Sequence, residues 1–262
     1  MIINHRIKAI IVRHLYNFRH SWDRLTDGFY WPAMDIILWG LTSRYLQLAG
    51  SEVQDIILVL LTGLVFWQTV WRGQYEITVN LLEEIWNRNL VNLFATPLRV
   101  EEWVAAVLIL GLLKMTATIG FAILLTWALY SVNLFTFGWL LLPFFASLLM
   151  VGWWVGLLVA GIIIRFGHQV QTLAWAGVYL LAPFSAIYYP LESLPLWVQK
   201  VARVFPSAYI FEGMRYSISQ NALPWQYLFI SFGLNFIYLV LAYFFFQASF
   251  KKSQEKGLAR LE

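Results

Sequence analysis

Long stretches without a charged residue alternate with short polar links along this chain. A helix needs about 20 apolar residues to cross the hydrocarbon core of a bilayer, and the charge-free stretch 115–164 is long enough for two crossings. It divides near 131–133, where residues of poor helix propensity cluster. The pattern predicts an all-α membrane protein with six transmembrane helices, over residues 29–49, 55–75, 103–130, 137–164, 170–188 and 225–250.

The segment 1–27, before the first predicted span, has a different pattern. Apolar residues recur at helical spacing from Ile7 to Leu15, and Lys8 and Arg13 lie between them. This pattern predicts a basic amphipathic helix that lies on the inner leaflet of the membrane. A flexible basic tail is the alternative.

The link between the second and third spans, residues 76–99, is longer than a simple turn requires. Leu82 and Ile85 fall on one stripe of a helix, Glu83 and Glu84 fall on the opposite stripe, and Pro97 ends the pattern. An amphipathic helix in this position indicates a docking surface for another protein. An inert surface helix is the alternative.

The link between the fifth and sixth spans, residues 189–220, is also long and rich in apolar residues. Pro195 suits the first turn of one short helix, and Pro206 separates it from the next. We expect these external half-helices to enter the outer leaflet partway while packed against protein, where irregular backbone is tolerated.

Composition and charge support a membrane protein and exclude several other classes. Of the 262 residues, 60% are hydrophobic and 12% are charged, about half the usual charged share of a globular domain. Most of the 18 Lys and Arg residues fall on the side that holds both termini. The positive-inside bias therefore predicts cytoplasmic termini and explains the net charge of +4 without a nucleic-acid partner.

The chain lacks the motifs of an enzyme. None of its lysines follows a glycine, so a Walker A loop is absent. It has no cysteine, and its four histidines show no metal-ligand spacing. We therefore expect neither a catalytic site nor a metal or cofactor in this chain, and an ATP-driven activity requires a partner protein.

A few polar and small residues within the predicted spans suggest helix contacts. Asp35 and Lys114 lie in the first and third spans, and we predict that they form an intramembrane pair with a packing role. Gly152 and Gly156 form a small-residue face on the fourth span, which favours close packing within the subunit.

Two motifs resemble those of a known family. Residues 190–215 read Pro-x4-Pro-x-Trp-x8-Pro-x5-Glu-x2-Arg, which resembles the signature of ABC type-2 transporter permeases. The stretch 93–99 resembles the first coupling region of that family. The resemblance covers essentially the whole chain, so residues 1–262 are interpreted as a single permease domain.

The resemblance implies partners and sites. Two permease copies, here most simply a homodimer, would form the pathway among membrane lipids, and two ATPase subunits would bind ATP and Mg beneath them. The implied ATPase-docking residues are Glu83, Glu84, Trp86, Asn87, Arg88, Leu93, Thr96 and Pro97. The implied external half-helices contain Pro195, Trp197, Pro206, Glu212 and Arg215.

The expected function is export out of the cytoplasm across a bacterial or archaeal plasma membrane, by alternating access. The substrate is a hydrophobic or amphipathic drug or lipid, because Phe205 precedes Pro206 where polysaccharide exporters of the family tend towards Asn-Pro. A lipid-linked polysaccharide or glycolipid is the alternative substrate. A six-span membrane enzyme and a channel are the alternatives from other classes.

Overall fold

Helices and turns make up all of the secondary structure in the computed structural model, which describes residues 2–49, 56–220 and 222–261. The α-helices of these residues are α1 Ile2–His20, α2 Trp22–Leu48, α3 Ile56–Trp86, α4 Leu90–Ala95, α5 Val100–Tyr130, α6 Leu141–Phe166, α7 Leu173–Ala176, α8 Leu196–Ala202, α9 Pro206–Gln220 and α10 Trp225–Glu255. Short 3₁₀ helices occupy Leu134–Leu140, Gly167–Val170, Val178–Leu180, Ala182–Phe184, Leu191–Ser193 and Leu258–Leu261.

The chain runs between two ends of a helix bundle. One end, here called the terminal end, holds α1, α4 and the 3₁₀ helix Leu258–Leu261, which contacts α4. The opposite end, here called the far end, holds α8 and α9. The chain passes between these ends in α2, α3, α5, α6, the segment 167–189 and α10, so both termini lie at the same end.

The helix α3 is longer than the sequence pattern predicts. The prediction ended the second span at residue 75 and placed a separate amphipathic helix after it, but α3 continues without a break to Trp86. That division is wrong because nothing before Arg88, which has a positive φ of 49°, interrupts helical geometry. The first residue of the predicted span, residue 55, lies outside the described residues.

Both α3 and α5 extend beyond the thickness of a bilayer core. Each has 31 residues, or about 46 Å at 1.5 Å per residue, against roughly 30 Å of hydrocarbon. Because α1 packs along the start of α5, the excess length lies at the terminal end. The charged residues near the terminal ends of α3 and α5 therefore lie towards one end of the bundle rather than at its middle.

The fifth pass, residues 167–189, is not the regular helix that the sequence pattern predicts for residues 170–188. It consists of α7 and three 3₁₀ helices. From Gln171 to Ile187 it follows α3 from Trp86 back to Gly63, and it covers that height with fewer residues. It can do so because a 3₁₀ helix rises about 2.0 Å per residue against 1.5 Å for an α-helix.

The centre of the bundle is α6, which packs against both α3 and α10. Gly152 of α6 faces α3 so closely that a Cβ there would lie 2.5 Å from the carbonyl oxygen of Val70. At Gly156, a Cβ would meet the side chain of Ile77 at 2.7 Å. The small-residue face predicted from the sequence thus packs within the subunit, as expected.

Three helical stretches of the described residues are long and apolar enough to cross a membrane: Val100–Tyr130, Leu134–Val170 and Trp225–Glu255. They match the predicted third, fourth and sixth spans. The protein is therefore an all-helical, multi-pass membrane protein. The count of six spans stays a prediction.

Candidate functional site

Three arginine side chains join the N-terminal region to the bundle through hydrogen bonds and ion pairs. Arg6 of α1 donates to the carbonyl oxygen of Pro97 at 2.6 Å and lies 3.5 Å from the carboxylate of Glu102. Arg13 lies 2.9 Å from Glu84, and Arg24 of α2 forms an ion pair with Glu83. One face of α1 therefore packs on protein. Its contact with the inner leaflet stays a prediction for the other face.

The predicted docking residues divide into two groups by exposure. Glu84 is 1% exposed and also accepts a hydrogen bond from Asn89 at 2.5 Å, while Leu93 is buried and Glu83 is half-buried against Arg24. These side chains support the link from inside. The exposed ones, free to contact another protein, are Trp86, Asn87, Arg88, Thr96 and Pro97.

The link is shaped by local backbone geometry. The positive φ of Arg88 ends α3, and the amide of Asn89 donates to the carbonyl oxygen of Glu84 at 2.8 Å. The Trp86 ring stacks on Trp175 of the fifth pass at 6.0 Å. These contacts fix the end of α3 and the link relative to each other, so that they form one continuous surface at the terminal end.

His14 is buried beside this link. Its side chain is 1% exposed, its Nε2 lies 3.9 Å from Glu84, and neither ring nitrogen has a hydrogen-bond partner. Burial, together with the positive charges of Arg13, Lys114 and Arg24, lowers the pKa of His14 to about 3. The imidazole is therefore neutral at neutral pH.

The predicted pair between Asp35 and Lys114 is wrong. The Lys114 ammonium lies 2.7 Å from the carboxylate of Glu76, and Asp35 accepts instead from the side-chain amide of Gln68 at 2.9 Å. Since Glu76 belongs to the uninterrupted α3, it faces α5 at the height of Lys114. Asp35 lies further towards the far end.

Glu76 also anchors a cluster that sequence reasoning missed. Arg72 lies 3.7 Å from Glu76 and is 2% exposed, and Asn80 donates to the Glu76 side chain at 3.2 Å. Arg72, Glu76 and Asn80 are spaced by one helical turn, so they share a face only if α3 continues. That spacing was the available signal.

At the far end, Glu212 and Arg215 of α9 form hydrogen bonds with backbone groups at the end of the fifth pass. Arg215 donates to the carbonyl oxygens of Ala186 and Ile187 and pairs with Glu212 at 2.8 Å. Glu212 accepts from the amide of Leu191 at 2.8 Å. The positive φ of Ala186, 53°, turns the chain, so these two side chains satisfy backbone groups that no helix satisfies.

The other residues of the predicted half-helices mark element boundaries. Pro195 precedes α8, and Pro206 is the first residue of α9, where a missing N–H carries little cost. Trp197 is 65% exposed on α8. The structure thus contains the two short helices that the sequence pattern predicts between residues 189 and 220.

One side chain of α3 holds the break in the fifth pass. Gln74 donates to the carbonyl oxygen of Ala174 at 2.5 Å and accepts from the amide of Val178 at 2.7 Å. In an α-helix those two backbone groups would bond to each other. Thr78 adds a second hydrogen bond to Ala174 at 3.1 Å. The side chain of Gln74 therefore replaces a helical hydrogen bond at the break.

The described residues contain no group of three or more His, Asp or Glu side chains that could hold a metal ion. They form an all-helical membrane bundle. An exposed link lies at one end of the bundle and two short helices lie at the other. These features define an all-helical, multi-pass membrane protein.

Comparison with known proteins identifies the family. The family model described as ABC-2 type transporter matches residues 6–219. The chain therefore belongs to the ABC-2 type transporter family, as the motifs at 93–99 and 190–215 indicate. None of the curated proteins compared with the chain matches it.

Proposed function

We propose that this chain is the transmembrane subunit of an ATP-driven exporter, powered by a separate ATPase that binds ATP and Mg. The exposed link at the terminal end carries the proposal, since it is the surface through which a permease of this family would receive motion. The terminal end then faces the cytoplasm of a bacterial or archaeal cell, and two copies of the chain form the pathway.

The docking surface in this proposal is narrower than the sequence implies. It comprises Trp86, Asn87, Arg88, Thr96 and Pro97, with Glu83 and Glu84 as internal support. Motion of the link would pass to α1 through Arg13 and Arg6, because these side chains bind Glu84 and the carbonyl oxygen of Pro97. The proposed substrate is a hydrophobic or amphipathic molecule, such as a drug or lipid.

Co-purification with the ATPase tests the proposal. We expect Arg88→Glu to reduce the ATPase recovered with the tagged chain by about tenfold, as a reversed charge at an interface costs on the order of 1–3 kcal/mol. Arg203→Glu is the matched control, because Arg203 is an exposed arginine at the far end. Equal recovery with both variants, or a wild-type chain that binds no ATPase, would contradict the proposal.

A further inference from the structure

A groove with a volume of about 440 Å³ lies between α5 and α10, with α6 behind it. Leu157 of α6 lines the groove and is 1% exposed, whereas Phe244 of α10 lines it and is 64% exposed. The groove is therefore closed towards the bundle and open at the outer surface. We call it the apolar groove and define it by Glu101, Val104, Ala105, Leu108, Leu157, Leu239, Val240, Tyr243 and Phe244.

The walls of the apolar groove belong to two helices that are long and apolar enough to cross a membrane, α5 and α10. Along α5 the groove runs from Glu101 to Leu108, or about 10 Å at 1.5 Å per residue. Apart from Glu101 and the hydroxyl group of Tyr243, its lining side chains are apolar. Lipid tails are as apolar as these side chains, so an acyl chain suits this surface.

The apolar groove ends in polar groups on the side of the terminal end. The side-chain amide of Gln247 donates to the carboxylate of Glu101 at 3.2 Å and to the hydroxyl oxygen of Tyr243 at 3.0 Å. Within the described part of the chain, the second carboxylate oxygen of Glu101 and the hydroxyl hydrogen of Tyr243 have no partner. A hydrogen-bond acceptor and a donor are therefore both free at the end of the groove.

A positive charge lies beside these two groups. Lys251 follows Gln247 by one helical turn, so it extends the face of α10 that carries Tyr243 and Gln247. It is exposed, and among the described residues neither Lys251 nor Glu101 forms an ion pair. The end of the groove thus offers a negative and a positive group to a molecule that carries both charges.

A phospholipid with a primary-amine head group matches this arrangement. Its ammonium group donates hydrogen bonds to Glu101, and its phosphate accepts from Tyr243 and lies towards Lys251. We propose that the apolar groove holds an acyl chain of phosphatidylethanolamine from the leaflet at the terminal end, with the head group bound by these three side chains. The lipid is a resident component, so the inference does not rest on the proposed function.

Three phospholipids with the same acyl chains and different head groups provide the test. Native mass spectrometry measures binding of phosphatidylethanolamine, phosphatidylcholine and phosphatidylglycerol to the purified full chain in detergent. Phosphatidylcholine has no ammonium N–H to donate, and phosphatidylglycerol brings a net negative charge to Glu101. We expect the wild-type chain to bind phosphatidylethanolamine about fivefold more tightly than either, an effect at the upper end for one exposed charge pair.

Two variants separate the contacts of the head group. Glu101→Gln should lower the affinity for phosphatidylethanolamine to that for phosphatidylcholine and leave phosphatidylcholine unchanged. Tyr243→Phe keeps the ring and removes the hydroxyl group, so we expect it to weaken all three lipids about threefold through the phosphate that they share. Glu255→Gln is the matched control, because it removes an exposed carboxylate near the end of α10 and outside the groove.

A third variant locates the acyl chain. Ala105 lines the groove and is half-buried, so Ala105→Phe fills the space and should reduce binding of all three lipids at this site.

The inference is overturned if the wild-type chain binds the three lipids equally, a result that needs no variant to fold. It is equally overturned if a monodisperse Glu101→Gln chain keeps its preference for phosphatidylethanolamine, if Glu255→Gln loses as much, or if Ala105→Phe binds as wild type does. No ATPase takes part in these measurements, so their failure leaves the docking experiment unaffected.

Discussion

The contacts that join α1 and α2 to α3 at the terminal end differ in kind from those that join α9 to the fifth pass at the far end. At the terminal end, Arg13 and Arg24 reach across to carboxylates on α3, so regular helices are joined through pairs of long side chains. At the far end, Arg215 and Glu212 bind backbone groups of the fifth pass directly. The ion pairs join helices whose backbone hydrogen bonds are already made. The contacts of Arg215 and Glu212 supply hydrogen bonds to backbone groups that lack them.

This difference has a mechanical consequence. A pair of long side chains tolerates small shifts between two helices, because each side chain can follow its partner by changing rotamer. When a side chain that is hydrogen-bonded to backbone groups moves away, those groups lose their partners. Where no water can replace the lost hydrogen bonds, this is costly. The contacts of α1 and α2 with α3 are therefore suited to small shifts between helices, while the contacts at the far end keep its shape.

The largest expected effect comes from the buried pair that lies between the two ends. Lys114→Met removes the closest partner of Glu76, whose side chain is 3% exposed, and we expect it to lower the free energy of unfolding by about 3 kcal/mol. Arg72 at 3.7 Å compensates only in part. Unfolding in mixed micelles, followed by circular dichroism, measures the change.

The double variant Glu76→Gln with Lys114→Met is the control for that experiment. It removes both charges of the pair but leaves the buried Arg72 without its carboxylate, so we expect it to recover only part of the lost stability. A loss below about 1 kcal/mol in the single variant would show that the pair is not desolvated as its burial indicates.

The next largest effect concerns the far end. Arg215→Leu leaves the carbonyl oxygens of Ala186 and Ile187 without the Arg215 donor and the carboxylate of Glu212 without its positive partner, at an expected cost of about 2 kcal/mol. Hydrogen exchange of residues 186–191 should rise with the loss of stability, because this segment has few helical hydrogen bonds of its own. Unchanged hydrogen exchange would show that Arg215 does not hold this segment in place.

Arg203→Leu provides the comparison within the same end. Arg203 is exposed and precedes α9, so its removal should change stability by less than about 0.5 kcal/mol. Comparison of the two variants separates the loss of hydrogen bonds to the backbone from the loss of a positive charge at the far end.

How far the sequence could predict these contacts depends on where helices end. The apolar lengths predict α5, α6 and α10 well, because a membrane span depends mainly on composition. Ending the second span at residue 75 was wrong, and that one boundary removed Glu76 from the candidates for Lys114. Asp35 was then the remaining acidic residue, and it was chosen by depth alone.

The broken fifth pass shows a second limit. Gly167 has a φ of 72° and Pro183 interrupts the helical ladder, so the sequence carried local signals of irregular backbone. The hydrogen bonds that stabilise the break come from Gln74, about 100 residues earlier in the chain. Such a partner is set by tertiary packing, which no local pattern reports.

The smallest expected effect tests the terminal end by pH. The pKa of His14 is about 3 in the folded chain and about 6.5 when unfolded, so the unfolded state binds more protons between these values. Stability should therefore be constant above pH 6.5 and fall by about 1 kcal/mol per pH unit as the pH drops below it. Unfolding measured from pH 8 to pH 5 covers the upper part of this window.

His14→Leu separates this effect from the titration of carboxylates. Leu fills much of the same buried volume and takes up no proton, so we expect the variant to lose most of the pH dependence between 6.5 and 5, where ordinary carboxylates stay ionised. A variant with the same slope as wild type would assign the pH dependence to another group. Loss of the slope would show that His14 is the titrating group and that its ring is held neutral where α1 packs on the link.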